Sequence, residues 1–228
     1  MLYYILKNFF LAPYIRATFR PWVSGVENVP ASGPVILASN HISVLDSLIL
    51  PLSLNRKVTF LAKSDYFTGK GVRGFVVRSF MNGVGQLSID RSGGKASEAS
   101  LNTGVQVLRG GGVLGIYPEG TRSPTGKLYR GRTGVARMIL EAKAPVVPVA
   151  MFDTDKAMPI GSKIPKVRRV GVVIGEPLDF SRFEGMEGDR FVLRSITDEI
   201  MVEIARLSGQ EYVDVYASTL RQAAARAA

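Results

Sequence analysis

Five short apolar runs recur along the 228 residues of this chain, and they limit the fold that it can adopt. Each run is too short for an ordinary helix and is rich in β-branched residues, which favour buried strands. Between the runs lie segments with helical apolar spacing; in one of them, Ile196, Ile200 and Ile204 fall on one stripe. The runs cover residues 35–38, 58–61, 113–116, 146–151 and 170–174, and the helical segments cover residues 95–109, 134–142 and 189–207. This alternation predicts an α/β fold with a central, mostly parallel or mixed sheet that helices flank.

The chain has the length of one ordinary domain, and no internal repeat, low-complexity tract or linker divides it. We therefore predict a single main domain over residues 23–208. An N-terminal amphipathic segment, residues 1–22, precedes this domain, and a peripheral C-terminal helix, residues 209–228, follows it.

The N-terminal segment is rich in leucine, isoleucine, phenylalanine and tyrosine, but cations interrupt it. Lys7, Arg16 and Arg20, together with Pro13, leave it short of the about 20 apolar residues that a membrane-spanning helix needs. The cations run through the segment and do not precede one apolar block, which argues against a signal peptide. Two interpretations stay open: a helix packed on the domain, or an interfacial helix with its aromatic residues at headgroup depth. The composition favours the interfacial helix.

The composition of the whole chain favours a phosphate-bearing partner and an apolar one. Lysine and arginine number 29 against 19 acidic residues, a net charge of +10, which suits nucleic acid, an anionic membrane or a phosphorylated small molecule. Hydrophobic residues make up 46% of the chain and the mean hydropathy is +0.14, which is high for a freely soluble protein. The absence of cysteine excludes disulfides, thiolate metal ligands and a cysteine nucleophile. Because there is also just one histidine, we predict no metal site and no bound cofactor.

His41, the one histidine of the chain, comes just after the first predicted central strand. An imidazole is the usual general base for a hydroxyl near neutral pH, so chemistry of that kind must use this residue. Asp46 lies five residues further on, which on a continuous helix would place it about 140° round from His41. The two side chains therefore meet only if His41 lies on a strand-to-helix turn and Asp46 in the first helical turn, where the dipole favours a carboxylate. Such a pair would orient the imidazole for catalysis; the alternative is a hydrogen-bonded structural histidine.

A second polar cluster, residues 117–123, directly follows the apolar run 113–116. Ends of strands in α/β sheets are common ligand sites. Arg122 can hold a phosphate through two hydrogen bonds, and Glu119 can orient a glycerol hydroxyl or that arginine. Arg91 is a second candidate for the phosphate. The alternative is a polar turn with a solvated arginine.

Four blocks of sequence, taken in order, resemble a known family. They are Asn40-His41 with Asp46, Gly85 with Asp90-Arg91, the run Tyr117-Pro118-Glu119-Gly120-Thr121-Arg122, and Val147-Pro148-Val149. Together they resemble the conserved blocks of the glycerolipid acyltransferase family, typified by the 1-acylglycerol-3-phosphate acyltransferases, over roughly residues 25 to 175. Two positions depart from the family pattern: Ser88 stands where a bulky apolar residue is usual, and Tyr117 stands where phenylalanine is commoner.

The resemblance implies an O-acyltransferase that moves a fatty acyl group from a thioester to the free hydroxyl of 1-acylglycerol 3-phosphate, giving phosphatidic acid in phospholipid biosynthesis. His41 would be the base and Asp46 its support. The acceptor would be held by Arg91, Glu119, Gly120, Thr121 and Arg122, and the acyl-site candidates are Val147, Pro148 and Val149. The co-substrate would be acyl-CoA or an acyl carrier protein thioester. The enzyme would act as a peripheral or monotopic protein on the cytoplasmic face of the cell membrane, in contact with anionic lipid.

Two alternatives stay open at this point. The acceptor can be glycerol 3-phosphate or a lysophospholipid, since paired arginines favour an accessible phosphate without selecting among such molecules. A basic nucleic-acid-binding domain is the alternative from a different class, given the net charge and the cations Lys163, Lys166, Arg168 and Arg169. The sequence lacks the interleaved aromatic and basic residues of RNA-binding domains, so we predict no nucleic-acid partner.

Overall fold

The computed structural model describes residues 9, 11–83, 86–89 and 95–220, and within them seven strands form one mixed sheet. The strands along the chain are β1 (Trp22–Ser24), β2 (Val35–Ser39), β3 (Val58–Lys63), β4 (Leu87–Ile89), β5 (Val113–Ile116), β6 (Leu128–Tyr129), β7 (Val146–Phe152), β8 (Gly171–Ile174) and β9 (Tyr212–Val213). The spatial order in the sheet is β1-β8-β7-β2-β5-β3-β4, while β6 and β9 pair separately. Neighbouring strands are parallel except for β7 and β8, which confirms the predicted α/β fold with a mixed sheet.

The helices lie on both faces of this sheet. They are α1 (Ala12–Phe19), α2 (Asp46–Leu52), α3 (Asp65–Thr68), α4 (Gly71–Gly83), α5 (Lys95–Arg109), α6 (Gly134–Ala142), α7 (Thr154–Ala157) and α8 (Arg190–Ser208). Asp189 caps α8 by accepting hydrogen bonds from the amides of Phe191 and Val192.

Successive residues of β2 enter two different cores. Val35 and Leu37 pack with side chains from α1 and α2, whereas Ile36 and Ala38 pack with side chains from α5, α6 and α8. Residues of a strand point alternately to its two faces, so a strand covered on both sides must be apolar at every position. This explains why the central strands are continuous apolar runs, and it is why the sequence predicted all of them.

The described part of α1 packs its inner face on the domain. Ala12, Ile15 and Phe19 are buried, whereas Tyr14 and Arg16 are exposed. Residues 1–8 and 10 of the predicted interfacial segment lie outside the described residues. None of the helices within the described ranges combines the length and the apolar character that crossing a bilayer requires.

The C-terminal region departs from the predicted peripheral helix. Residues 212–213 form β9, which runs parallel to β6, and helical residues begin at 217 and continue to 220, the last described residue. The amide of Leu128 donates to the carbonyl oxygen of Glu211 at 3.0 Å. The backbone of this stretch is therefore used for strand pairing, a long-range contact that local helical spacing does not reveal. Residues 221–228 lie outside the described residues.

Candidate active site

The site forms where β2 and β5 end side by side. Because these strands are parallel, the turn after β2 and the loop after β5 meet at the same edge of the sheet. Asn40 fixes the start of the turn: its side-chain oxygen accepts from the Met151 amide at 2.7 Å, and its side-chain nitrogen donates to the Met151 carbonyl at 3.1 Å. The next residue, His41, is thereby held beside β7.

His41 and Asp46 meet as the sequence predicted. His41 lies on the turn after β2 and Asp46 is the first residue of α2, with 2.9 Å between His41 Nδ1 and Asp46 Oδ2. Asp46 Oδ2 also accepts the backbone amides of Ile42 and Ser43, at 2.9 and 2.8 Å, and Asp46 Oδ1 accepts the hydroxyl of Thr154. The Asp46 side chain is 0% exposed and the His41 side chain 16% exposed. A carboxylate at Nδ1 selects the tautomer with hydrogen on Nδ1, so Nε2 keeps the lone pair that a base needs.

Two stacked aromatic rings fix the orientation of the His41 imidazole ring. The rings of His41 and Tyr117 are stacked at 3.8 Å between centroids and 9° between planes, and Tyr117 in turn stacks on Phe60 at 5.3 Å. The Tyr117 hydroxyl lies 2.9 Å from Ser47 Oγ. Burial, with the nearby Asp46 charge, raises the pKa of Tyr117 well above its usual value, so the phenol stays neutral. The family departure at Tyr117 is therefore accommodated by a hydroxyl partner on α2.

The Glu119 carboxylate contacts two backbone amides, and its predicted contact with the acceptor or with Arg122 stays a prediction. Its Oε1 accepts the His41 amide at 3.2 Å, its Oε2 accepts the Tyr129 amide at 3.0 Å, and the residue is 1% exposed. A buried carboxylate whose two oxygens each accept a backbone amide holds two segments of the chain in place. Burial raises the pKa of Glu119 to about 7, against the lowering effect of these two hydrogen bonds.

The other residues of the predicted acceptor loop stay close to His41. The amide of Ser123 donates to the His41 carbonyl oxygen at 2.6 Å, which places Thr121 and Arg122 directly beside the turn. Both are half-buried. Gly120 has φ +73, where an L side chain is strained, and an added Cβ would come within 3.0 Å of Arg132 Nε. Arg91, the other predicted phosphate contact, lies outside the described residues.

The acyl-site candidates Val147, Pro148 and Val149 are buried within β7. Val147 and Val149 are 0% exposed and belong to the core shared with α1 and α2. Their side chains contribute to core packing, and their predicted association with the acyl site stays a prediction.

Two residues that the sequence analysis missed complete the surroundings of His41. Thr154 bonds Asp46 from α7, and Gln210 accepts the Asn40 side-chain amide at 2.7 Å while donating to the Gly126 carbonyl at 2.5 Å. Their contacts span 108 and 170 residues of sequence, so no local motif could have indicated them.

Among the described residues, no hydrogen bond occupies Nε2 of His41, and an imidazole that a buried carboxylate orients beside an arginine-bearing loop is the arrangement of a general-base catalyst. The chain belongs to the Acyltransferase family, whose model matches residues 20–152. The matched range contains His41, Asp46, Glu119 and Arg122.

Relatives agree with this membership, and a solved structure shares the fold. A chloroplastic 1-acyl-sn-glycerol-3-phosphate acyltransferase of Arabidopsis thaliana is 30% identical over 70% of this chain and 44% of its own length. A 1-acyl-sn-glycerol-3-phosphate acyltransferase of Bacillus subtilis is 30% identical over 71% of this chain and 76% of its own length. The chain thus spans less than half of the plant relative. The crystal structure of the 1-acyl-sn-glycerophosphate acyltransferase PlsC from Thermotoga maritima has the same fold, with a TM-score of 0.66 and 24% identity over 90% of this chain and 79% of that one.

Proposed function

We propose that this protein is an O-acyltransferase that transfers a fatty acyl group from a thioester to the free hydroxyl of 1-acylglycerol 3-phosphate, giving phosphatidic acid. The observation that carries the proposal is the 2.9 Å contact of His41 Nδ1 with the buried Asp46, which leaves Nε2 as the base. Two relatives named as acyltransferases of this acceptor support the choice of substrate.

The reaction needs no covalent enzyme intermediate. His41 Nε2 removes the proton of the acceptor hydroxyl, and the oxygen attacks the thioester carbonyl carbon. The carbon–sulfur bond of the tetrahedral intermediate then breaks, and the imidazolium returns the proton to the thiolate. Asp46 stabilises the imidazolium through Nδ1 and prevents the ring from turning.

The acceptor's phosphate is proposed to bind Arg122, whose guanidinium offers paired donors that match phosphate oxygens. Arg91 is proposed as a second contact. Glu119 acts on binding indirectly, because it ties the amide of His41 to that of Tyr129 and so sets the distance between the turn and the loop.

The donor is proposed to be acyl-CoA or acyl carrier protein thioester, and the site of action an anionic membrane surface. The apolar acyl chain of the acceptor favours a membrane, and the net charge of +10 favours an anionic one. The N-terminal segment is proposed as one contact with that surface.

A matrix of donors and acceptors tests the proposal. Purified protein is assayed with acyl-CoA and acyl carrier protein thioesters against 1-acylglycerol 3-phosphate, glycerol 3-phosphate, lysophosphatidylcholine and monoacylglycerol. We expect the highest kcat/KM with 1-acylglycerol 3-phosphate, and undiminished transfer in the presence of a metal chelator. Equal or better transfer to the phosphate-free acceptor would contradict the proposed substrate.

A further inference from the structure

The loop between α7 and β8 combines exposed cations with exposed aliphatic side chains. We define the basic loop as residues 159–169. It contains four exposed cations, Lys163, Lys166, Arg168 and Arg169, and no acidic residue. In the part of the chain that the structure describes, no salt bridge involves any of these four side chains.

The aliphatic residues of the basic loop are unusually open to solvent. Ile164 is 78% exposed and Val167 is 81% exposed, and each stands between cations in the sequence. Single exposed apolar residues are common, but two such residues on one loop, with four cations that form no salt bridge among the described residues, make an exposed amphipathic surface.

Backbone hydrogen bonds hold the basic loop in shape. The Ser162 amide donates to the Pro159 carbonyl at 3.0 Å, and the Lys166 amide donates to the Ala157 carbonyl at 2.7 Å. The Ser162 hydroxyl donates to the Ile164 carbonyl at 2.9 Å. The exposed side chains are thus presented from a constrained turn, so little ordering entropy is lost when they meet a partner.

The basic loop lies between the candidate active site and α1. At one end, the carbonyl of Met158 accepts the Ser43 hydroxyl at 2.8 Å, next to the turn that carries His41. At the other end, the amide of Val170 donates to the carbonyl of Phe19, the last residue of α1, at 3.2 Å. A surface that contacts this loop is therefore near both the site and the N-terminal segment.

We infer that the basic loop docks on an anionic bilayer, with its cations among the lipid phosphates and Ile164 and Val167 entering the interfacial layer. Anionic lipid matches the unneutralised cations, and the apolar side chains gain from leaving water. Nucleic acid would match the cations but would gain nothing from exposed aliphatic side chains, and the loop has no aromatic residue to stack on bases. The inference rests on the proposed function only for the expectation that the enzyme works at a membrane.

A fluorophore placed on the loop tests this contact directly. Because the chain contains no cysteine, Ile164→Cys carries one environment-sensitive label, and Val202→Cys on α8, an exposed valine, is the matched control. On vesicles of phosphatidylglycerol and phosphatidylcholine, we expect the emission at position 164 to shift to the blue and to be quenched by nitroxide lipid, while position 202 stays aqueous. If the protein binds the vesicles and the two labels behave alike, or if it does not bind them, the proposal is overturned.

Double substitutions that remove two charges measure the electrostatic contribution of the basic loop to vesicle binding. Arg168→Gln with Arg169→Gln is compared with Arg109→Gln and Arg190→Gln, two arginines that are also exposed but lie outside the loop. Near an anionic surface each cation changes vesicle partitioning about fivefold, so the loop pair should lose about 25-fold and the control pair little. A loop pair that binds vesicles normally but loses affinity for double-stranded DNA or an acidic carrier protein would show that the partner is a different macromolecule.

An activity control separates this inference from the proposed function. The loop pair should transfer acyl groups at the wild-type rate to a short-chain acceptor that is monomeric in solution, because the loop takes no part in the chemistry. A loss of that rate would contradict the docking role. Failure of wild type and variants alike to transfer acyl groups would contradict the proposed function and leave the vesicle results standing.

Discussion

At the scale of single residues, the site depends on how completely Asp46 is held. Its Oδ2 accepts three hydrogen bonds and its Oδ1 accepts one, from Thr154. The first three donors come from the turn itself, within five residues of Asp46; of these, the sequence predicted the His41 contact but not the amides of Ile42 and Ser43. Thr154 arrives from α7 and could be recognised only in the structure.

Thr154 is expected to be a positioning residue. Thr154→Val keeps the shape of the side chain but leaves Asp46 Oδ1 without a donor, and hydrogen bonds to charged groups contribute about 1.5–3 kcal/mol. We expect kcat to fall about tenfold with little change in the KM of either substrate, and Thr154→Ser to restore most of the rate. Steady-state kinetics on the three proteins would decide this. A valine variant with unchanged kcat would mean that the turn alone holds Asp46.

Glu119 is expected to make stability depend on pH. Its pKa is raised from 4.5 to about 7 by burial, so the folded state keeps a proton that the unfolded state has lost between these values. The stabilisation is therefore complete below about pH 4.5 and is lost as pH rises to about 7, by on the order of 3 kcal/mol. Urea unfolding of wild type and Glu119→Gln across this range should show the wild-type free energy of unfolding falling relative to the variant. Parallel curves would contradict the assignment.

Arg122 is expected to act on the acceptor and not on the donor. Loss of a charge-assisted hydrogen bond to phosphate costs about 1.5–3 kcal/mol, so Arg122→Ala should lower acceptor kcat/KM roughly 10- to 100-fold and leave the donor KM nearly unchanged. Lysine should restore the activity only in part, because a point charge lacks the planar pair of donors. Arg109→Ala, at the end of α5, is the matched control.

A phosphate-free acceptor distinguishes a phosphate contact from a structural effect of Arg122. With monoacylglycerol, wild type and Arg122→Ala should be about equally poor. If the variant loses as much activity with this acceptor as with the phosphorylated one, Arg122 does not bind the phosphate.

At the scale of elements, the segment that leads into the C-terminal strand β9 ties the loop that carries Arg122 to the rest of the domain. Gln210 bridges Asn40 and the carbonyl of Gly126, while Lys127 pairs with Glu211 at 2.8 Å. The segment therefore holds the loop that carries Arg122 against the turn that carries His41.

Substitutions of the neighbouring residues Gln210 and Glu211 are expected to differ in their effect on acceptor kcat/KM. Gln210→Leu removes both bridging hydrogen bonds and should lower acceptor kcat/KM about tenfold, because the loop is no longer fixed beside the turn. Glu211→Ala removes an ion pair between exposed side chains, which solvent screens strongly, so its kinetics should be near those of wild type. Equal kinetics for both variants would contradict a positioning role for Gln210.

Some elements could be predicted from sequence and others could not, for a physical reason. The central strands are buried on both faces and read as continuous apolar runs, and α5 and α6 were predicted with their observed bounds. The strands β1, β4, β6 and β9 have two or three residues each, too few to show a period, and they exist because of their partners. The motif that contains Glu119 was recognised from the sequence. Its two backbone partners were not, because they come from other elements of the fold.

At the scale of the whole molecule, one sheet edge gathers the parts of the site. The parallel strands β2 and β5 deliver the His41 turn and the Arg122 loop, α7 supplies Thr154, and β9 closes the loop. The basic loop begins beside this edge and ends beside α1, which places the candidate site near a surface suited to anionic lipid.

The central claim is that His41 is the base for acyl transfer to a lipid hydroxyl. The measurement that tests it most directly is single-turnover transfer from acyl-CoA to 1-acylglycerol 3-phosphate by wild type and His41→Ala, with folding of both verified by circular dichroism and urea unfolding. General-base catalysis contributes about 10²- to 10⁴-fold, so a folded His41→Ala protein should be slower by at least two decades. A folded variant that transfers within a fewfold of wild type would contradict the account.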